Sequence, residues 1–333
     1  MIIDTDRLSA RYRAKAVDRE AHTLLITNYR GTAQEKDLSE PSNCGGFGRV
    51  RHFRRRAQTD WPENPLPTAP AGRALGVDTG DVFRAQVFQN AVCNWRCWYC
   101  YVPFDLLSAN AKHSDWLSAA DLIDLYQAET DAPPMIDLSG GQPDLVPEWV
   151  PWMMRELQGR GLEGDVYLWS DDNLSNDYFW TELSDQDREL VASYPMYGRV
   201  CCFKGFNPES FAFNTLADPA IFDRQFELFT RLLSVGMDLY AYVTLTAPSD
   251  ANLDDDLKRF VDRLQAIDEH LPLRTVPLEI SVFSTVEPRV MSVHRDALRI
   301  QYRAVEVWRR QLDIRFSSAE RALPICEVPL GIR

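Results

Sequence analysis

From about residue 80 the chain alternates between short apolar runs and longer segments whose apolar residues recur at helical spacing. The runs predict strands over 82–91, 135–139, 165–170, 199–204, 238–246 and 277–283. The segments predict helices over 118–130, 148–160, 177–193, 220–235, 253–269 and 295–311. Ser118 with Asp121 reads as an N-cap with an acid in the first turn. Six strand–helix units in a row predict a parallel sheet with right-handed crossovers. Six units fall short of a full eight-fold barrel.

Alternate residues of a strand face opposite sides. In the fifth run Leu239, Ala241, Val243 and Leu245 make an aliphatic face, against Tyr240, Tyr242, Thr244 and Thr246. In the sixth, Leu278, Ile280 and Val282 oppose Glu279, Ser281 and Phe283. In the first, Arg84, Gln86 and Asn90 share a face. The aliphatic faces are expected to pack on helices and the polar faces to point inward, lining a cavity for ligand and substrate. The plainer reading of any one of these strands is an edge with its polar face in water.

Residues 1–56 hold one strand-like run, 23–27, and Pro62, Pro65, Pro67 and Pro70 predict a stiff, irregular connection after it. The expected division is an N-terminal extension with its proline-rich connection (1–79), a catalytic core (80–315) and a C-terminal tail (316–333).

A 45% hydrophobic and 26% charged composition over 333 residues is that of a globular protein. The absence of an apolar run of about 18 residues argues against a membrane span, and residues 1–15 have no apolar core of a signal peptide. The net charge of −13 disfavours nonspecific nucleic-acid binding. Against that field stands a basic stretch, Arg49, Arg51, Arg54, Arg55 and Arg56, preceded by Cys44-Gly45-Gly46-Phe47-Gly48. Glycines and arginines together can hold an anion, dock an acidic partner or pair with the chain's own acids. The seven cysteines are odd in number, with three clustered, which fits a reducing cytoplasm better than a disulfide framework.

Those three, Cys93, Cys97 and Cys100, place three thiols on one short loop, one fewer than a closed metal site needs. With Tyr99 in the aromatic position, C-x3-C-x-aromatic-C after a first strand resembles the signature of the radical SAM enzymes. Ser139-Gly140-Gly141-Gln142-Pro143, at the end of the second strand, resembles that family's Gly-Gly-Glu-Pro motif. The resemblance implies an α/β fold, a partial (β/α)6 TIM-like barrel with an N-terminal extension, in agreement with the six-unit count. It also implies a [4Fe–4S] cluster on Cys93, Cys97 and Cys100, whose open iron chelates S-adenosylmethionine (SAM). Reductive cleavage then yields a 5′-deoxyadenosyl radical that abstracts hydrogen from substrate.

Placed on matching positions, the resemblance assigns Tyr99 to the adenine and Gly140 and Gly141 to the methionine amino group. Gln142 stands where the family has glutamate. Ser170 and Asp172, with Asp171 and Asn173 at the third strand's end, are assigned to the ribose. Lys204, ending the fourth strand, resembles the lysine of activating-enzyme-like members that pairs with the SAM carboxylate. The implied partners are a low-potential electron donor, flavodoxin- or ferredoxin-like, and a protein, peptide or small-molecule substrate. Cys201 and Cys202 read as buried small residues, and Cys44 and Cys326 are isolated, either packed or radical-quenching thiols. Two other readings of the triad are an open-iron hydro-lyase and a non-catalytic zinc- or cluster-binding adaptor.

Overall fold

The computed structural model describes residues 2–56 and 61–331. In chain order its helices and strands are α1 (Thr5–Ala16), β1 (Val17–Asp18), β2 (Thr23–Thr27), β3 (Gly48–Arg54), α2 (Thr68–Leu75), β4 (Val82–Gln89), β5 (Ser114–Ser118), α3 (Ala119–Gln127), β6 (Met135–Ser139), α4 (Trp149–Gly159), β7 (Tyr167–Asp172), α5 (Tyr178–Thr181), α6 (Asp185–Ser193), β8 (Tyr197–Phe203), α7 (Pro208–Thr215), α8 (Arg224–Leu233), β9 (Leu239–Thr244), α9 (Leu253–Ile267), β10 (Thr275–Leu278), α10 (Ser292–Arg315) and α11 (Ser318–Arg321). Seven strands form one sheet in the order β10-β9-β8-β7-β6-β4-β3, and β1, β2 and β5 form a second.

Six parallel strands are joined by helices; five stand on the predicted apolar runs, and the sixth, Thr275–Leu278, overlaps the run expected over 277–283 only at its start. The seventh, β3, is antiparallel to β4 and comes from the basic stretch, so a strand of the main sheet lies inside the region expected as an extension. The sheet curls, for Arg51 of β3 at one edge and Leu278 of β10 at the other line the same cavity. Residues beyond β3 bridge the gap between the edges: Trp61 Nε1 donates to the Pro277 carbonyl at 3.0 Å, and Asn64 Nδ2 to the Tyr242 hydroxyl at 3.0 Å. Proline suits this edge strand, which has no further neighbour to receive an N–H.

The faces separate at β8. Phe203 packs on Phe226 and Phe229 of α8 and Phe260 of α9, while Cys202 lines the cavity. Register carries this to the neighbours: Tyr242 pairs with Cys202, Trp169 with Asp137, and Leu168 with Ile136. The tyrosine–threonine face of β9 is therefore inward, as its alternation predicts.

Two other faces differ from expectation. On β4, Gln86 pairs with Ile136 and Phe88 with Leu138, so Arg84 and Gln86 face outward. Their partners there come from other segments: Asn43 bonds Gln86, and Arg84 donates to Asp131 at 2.5 Å with Glu40 nearby at 3.8 Å. Asn90 lies beyond the strand, bonded to the Gln142 carbonyl. The last strand ends at Leu278, which pairs with Thr244 and faces inward. Beyond it the Gln301 side chain on α10 takes both the N–H and the C=O of Ile280 in place of a ladder. The helix expected over 177–193 is two, because Ser184 caps a fresh start by accepting from the Asp187 N–H. Helices α1 and α2 are additions to the expected plan. Among the described residues no helix is long and apolar enough to cross a membrane.

Candidate active site

The cysteine loop follows β4 and is fixed by the residues between its cysteines. Asn94 Nδ2 donates to Ser9 Oγ at 2.8 Å and to Ser175 Oγ at 2.7 Å, and Trp95 Nε1 donates to Thr5 Oγ1 at 3.0 Å. Arg96 donates to the Tyr12 hydroxyl at 2.6 Å. Thr5, Ser9 and Tyr12 are one face of α1 at helical spacing, so the N-terminal helix clamps the loop from outside. Trp98 donates its indole N–H to Asn214 Oδ1 at 3.1 Å and stacks on His294 with ring centres 4.4 Å apart. With the intervening residues held by the protein body, Cys93, Cys97 and Cys100 all line one cavity of about 260 Å³.

All three are free thiols, and burial raises the pKa of each, that of Cys97 to about 12. The surroundings work against burial. The N–H groups of Trp95 and Asn94 point to Cys93, that of Val102 to Cys100, and the Lys204 charge acts on all three. Arg289 Nη2 is buried without a hydrogen-bond partner, and Cys100 and Cys97 are the groups that favour its charge. Three thiols, aimed N–H donors and an orphaned guanidinium nitrogen fit an anionic thiolate-bound group. No three or more His, Cys, Asp or Glu side chains are gathered to hold a single ion among the described residues.

The glycine turn lies against this loop. Gly140 and Gly141 have φ of 74° and 65°, the left-handed region. A Cβ on Gly141 would stand 2.4 Å from the carbonyl oxygens of Asn90 and Val92, the backbone leading into Cys93. The Gln142 N–H donates to the Val92 carbonyl at 2.8 Å, which locks turn to loop. Gly140, Gly141 and Ser139 line the cavity.

Two of the ribose assignments are placed elsewhere. Ser170 and Asp172 share the outward face of β7: Ser170 Oγ is 2.7 Å from the Tyr197 hydroxyl, and Asp172 Oδ1 accepts from Gln142 Nε2. Below them the Arg199–Asp144 pair at 2.9 Å is buried on the same side. Alternation puts Trp169, Asp171 and Asn173 on the cavity instead. Gln142 is buried and its amide is engaged within the protein.

Tyr99 lines the cavity and its hydroxyl is 3.1 Å from Thr244 Oγ1, across the lumen at the end of β9. Lys204 follows β8, partly buried, and also lines the cavity. Burial opposes its charge, but Cys202, Tyr99, Cys97 and Asp171 around it prevail and hold its pKa well above the ordinary lysine value. Cys44 and Cys326 are buried away from this cavity.

No protein-family model and no curated protein matches the chain. Among solved structures it is similar in part to Streptococcus suis SuiB bound to S-adenosylmethionine, with 16% identity and a TM-score of 0.39 over 53% of this chain and 36% of that one. A second structure of Streptococcus suis SuiB matches with 15% identity and a TM-score of 0.38, over 54% of this chain and 36% of that one. The chain thus spans little more than a third of the SuiB chains.

Strand alternation through the third strand would have found Asp171 and Asn173 in place of Ser170 and Asp172. The clamp by α1 had no such signal, because Thr5, Ser9 and Tyr12 form a polar stripe that looks solvent-facing in sequence.

Proposed function

We propose that this chain is a radical SAM enzyme, holding a [4Fe–4S] cluster on Cys93, Cys97 and Cys100 with SAM beside it in the cavity. The observation that carries the reading is the convergence of the three loop thiols, the Gly140-Gly141 turn and Lys204 on one cavity at the C-terminal ends of parallel strands. Together the two groups would supply one electron and a 5′-deoxyadenosyl radical for hydrogen abstraction. The protein's part is orientation and exclusion of water.

In this reading the α1 clamp fixes the loop, and Arg289 and Lys204 offset the negative charge at the thiolates. Lys204 is the counter-ion for the SAM carboxylate. Tyr99, pinned to Thr244, borders the adenine. Gly140 and Gly141 bring backbone close to the methionine end, while Gln142 positions that turn from behind. Asp171 and Asn173 take the ribose role assigned in sequence to Ser170 and Asp172. A flavodoxin- or ferredoxin-like protein would deliver the electron, and the substrate is a protein, peptide or small molecule, as in activating-enzyme-like members. A reducing compartment such as the cytoplasm suits seven free thiols.

Anaerobic metal and sulfide analysis tests the donor set. The reading expects about four irons and four sulfides per chain, lost together on Cys97→Ala. Stoichiometric zinc with no sulfide would favour the adaptor instead.

A further inference from the structure

Along the inward face of β3, Arg49, Arg51 and Phe53 follow at strand spacing. Arg49 is occupied: Nη2 donates to the Tyr101 hydroxyl at 2.6 Å, and the guanidinium stands 5.2 Å from that ring's centre. Arg51 is not. Its side chain lines the cavity with 40% of its surface exposed, 4.1 Å from the centre of the Phe53 ring. Its carboxylate neighbour is Asp137 Oδ2 at 3.8 Å, beyond hydrogen-bond distance.

Asp137 is 1% exposed, and neither of its carboxyl oxygens has a hydrogen-bond partner. The charged groups that face it are Arg49 and Arg51 from β3 and Asp171 from β7, with the Tyr29 hydroxyl close by. Burial pushes its pKa up to about 8, Asp171 adds to this, and the two arginines oppose. The buried Asp137 carboxyl thus stands beyond hydrogen-bond reach of Arg51, and Asp171 is the other acid that acts on this arginine. The cavity then presents two cations, Lys204 and Arg51, of which the radical SAM reading uses one.

We infer that Arg51 is a substrate clamp that binds a carboxylate borne on an apolar or aromatic body, flanked by Phe53, Tyr101 and Phe283. This assignment rests on the radical SAM reading only for the word substrate; the anion site follows from Arg51 and Asp137 themselves. A guanidinium suits a planar carboxylate, which it meets with paired N–H groups. The neighbouring rings all border the same cavity.

Calorimetric titration of the anaerobically purified protein with 3-phenylpropionate tests the clamp, with 3-phenylpropanol as the neutral control. Binding of the acid, loss of at least about tenfold in affinity in Arg51→Gln, partial rescue in Arg51→Lys and no binding of the alcohol are expected. Asp137→Asn, which leaves Arg51 and the neighbouring rings in place, should bind the acid at least as well as the wild type. A peptide ending in phenylalanine, compared with its C-terminal amide, reads whether the carboxylate comes from a peptide or a free acid. Equal binding of acid and alcohol, an unchanged Arg51→Gln, or no binding of either carboxylate probe overturns the assignment. These titrations need no SAM turnover, so failure of the clamp and failure of the radical reading are seen separately.

Discussion

The Gln142 side chain donates to Asp172 Oδ1 at 2.9 Å and accepts from the Asn173 N–H at 3.0 Å. An amide does both without having to take up a proton, as a carboxyl would. Glutamate here could accept from Asn173 but would oppose the Asp172 carboxylate, so the departure from a Gly-Gly-Glu-Pro motif has a local cause. Gln142→Glu is expected to lose about 2 kcal/mol of stability at pH 8. Urea unfolding of the variant beside the wild type checks this, and an unchanged stability would count against the cause.

Gly141 stands where a Cβ would meet two carbonyl oxygens of the strand leading to Cys93. Gly141→Ala should therefore displace the cysteine loop, beyond the strain of a positive φ of 65°. We expect a fall of about 2–3 kcal/mol in stability together with lost iron. Gly159→Ala, with nothing within 4 Å of its added Cβ, is the control and should be silent or mildly stabilising.

How far the sequence carried can be judged from these residues. The six parallel strands were legible because each is a compact apolar run, and the cysteine and glycine motifs because their spacing is local. Strand β3 was hidden, since Arg49, Arg51, His52 and Arg54 leave its stretch without the compact apolar run that marks the other strands. The outward direction of the β4 polar residues depends on Asn43 and Asp131, distant in sequence, which no local pattern reveals. At the end of the third strand alternation separates the four ribose candidates, placing Asp171 and Asn173 on the cavity and Ser170 and Asp172 on the outer face.

Buried Asp137 makes a pH prediction. Its folded pKa of about 8 lies above the ordinary aspartate value of about 3.9. The folded state thus holds a proton that the unfolded state has released, and stability falls as pH rises from about 4 to 8. Asp137→Asn removes that slope. The stability of the variant relative to wild type should rise between pH 4 and pH 8 in chemical denaturation, and parallel curves would contradict the assignment.

The buried Arg199–Asp144 pair at 2.9 Å holds the outer side of the sheet. Arg199→Met strands Asp144 and Asp172 without their cation and should cost about 3–5 kcal/mol. The double change Arg199→Met with Asp144→Leu should recover much of it. A double variant no better than the single would show that packing of the arginine, not its charge, is what matters.

The central claim is that the three cysteines support radical chemistry on SAM. The direct measurement is anaerobic, dithionite-dependent release of 5′-deoxyadenosine from SAM, with Cys93→Ala, Cys97→Ala and Cys100→Ala run beside the wild type. Release by the wild type and none above background by any of the three variants is expected. No release from cluster-loaded wild type, or equal release from a cysteine variant, would contradict it.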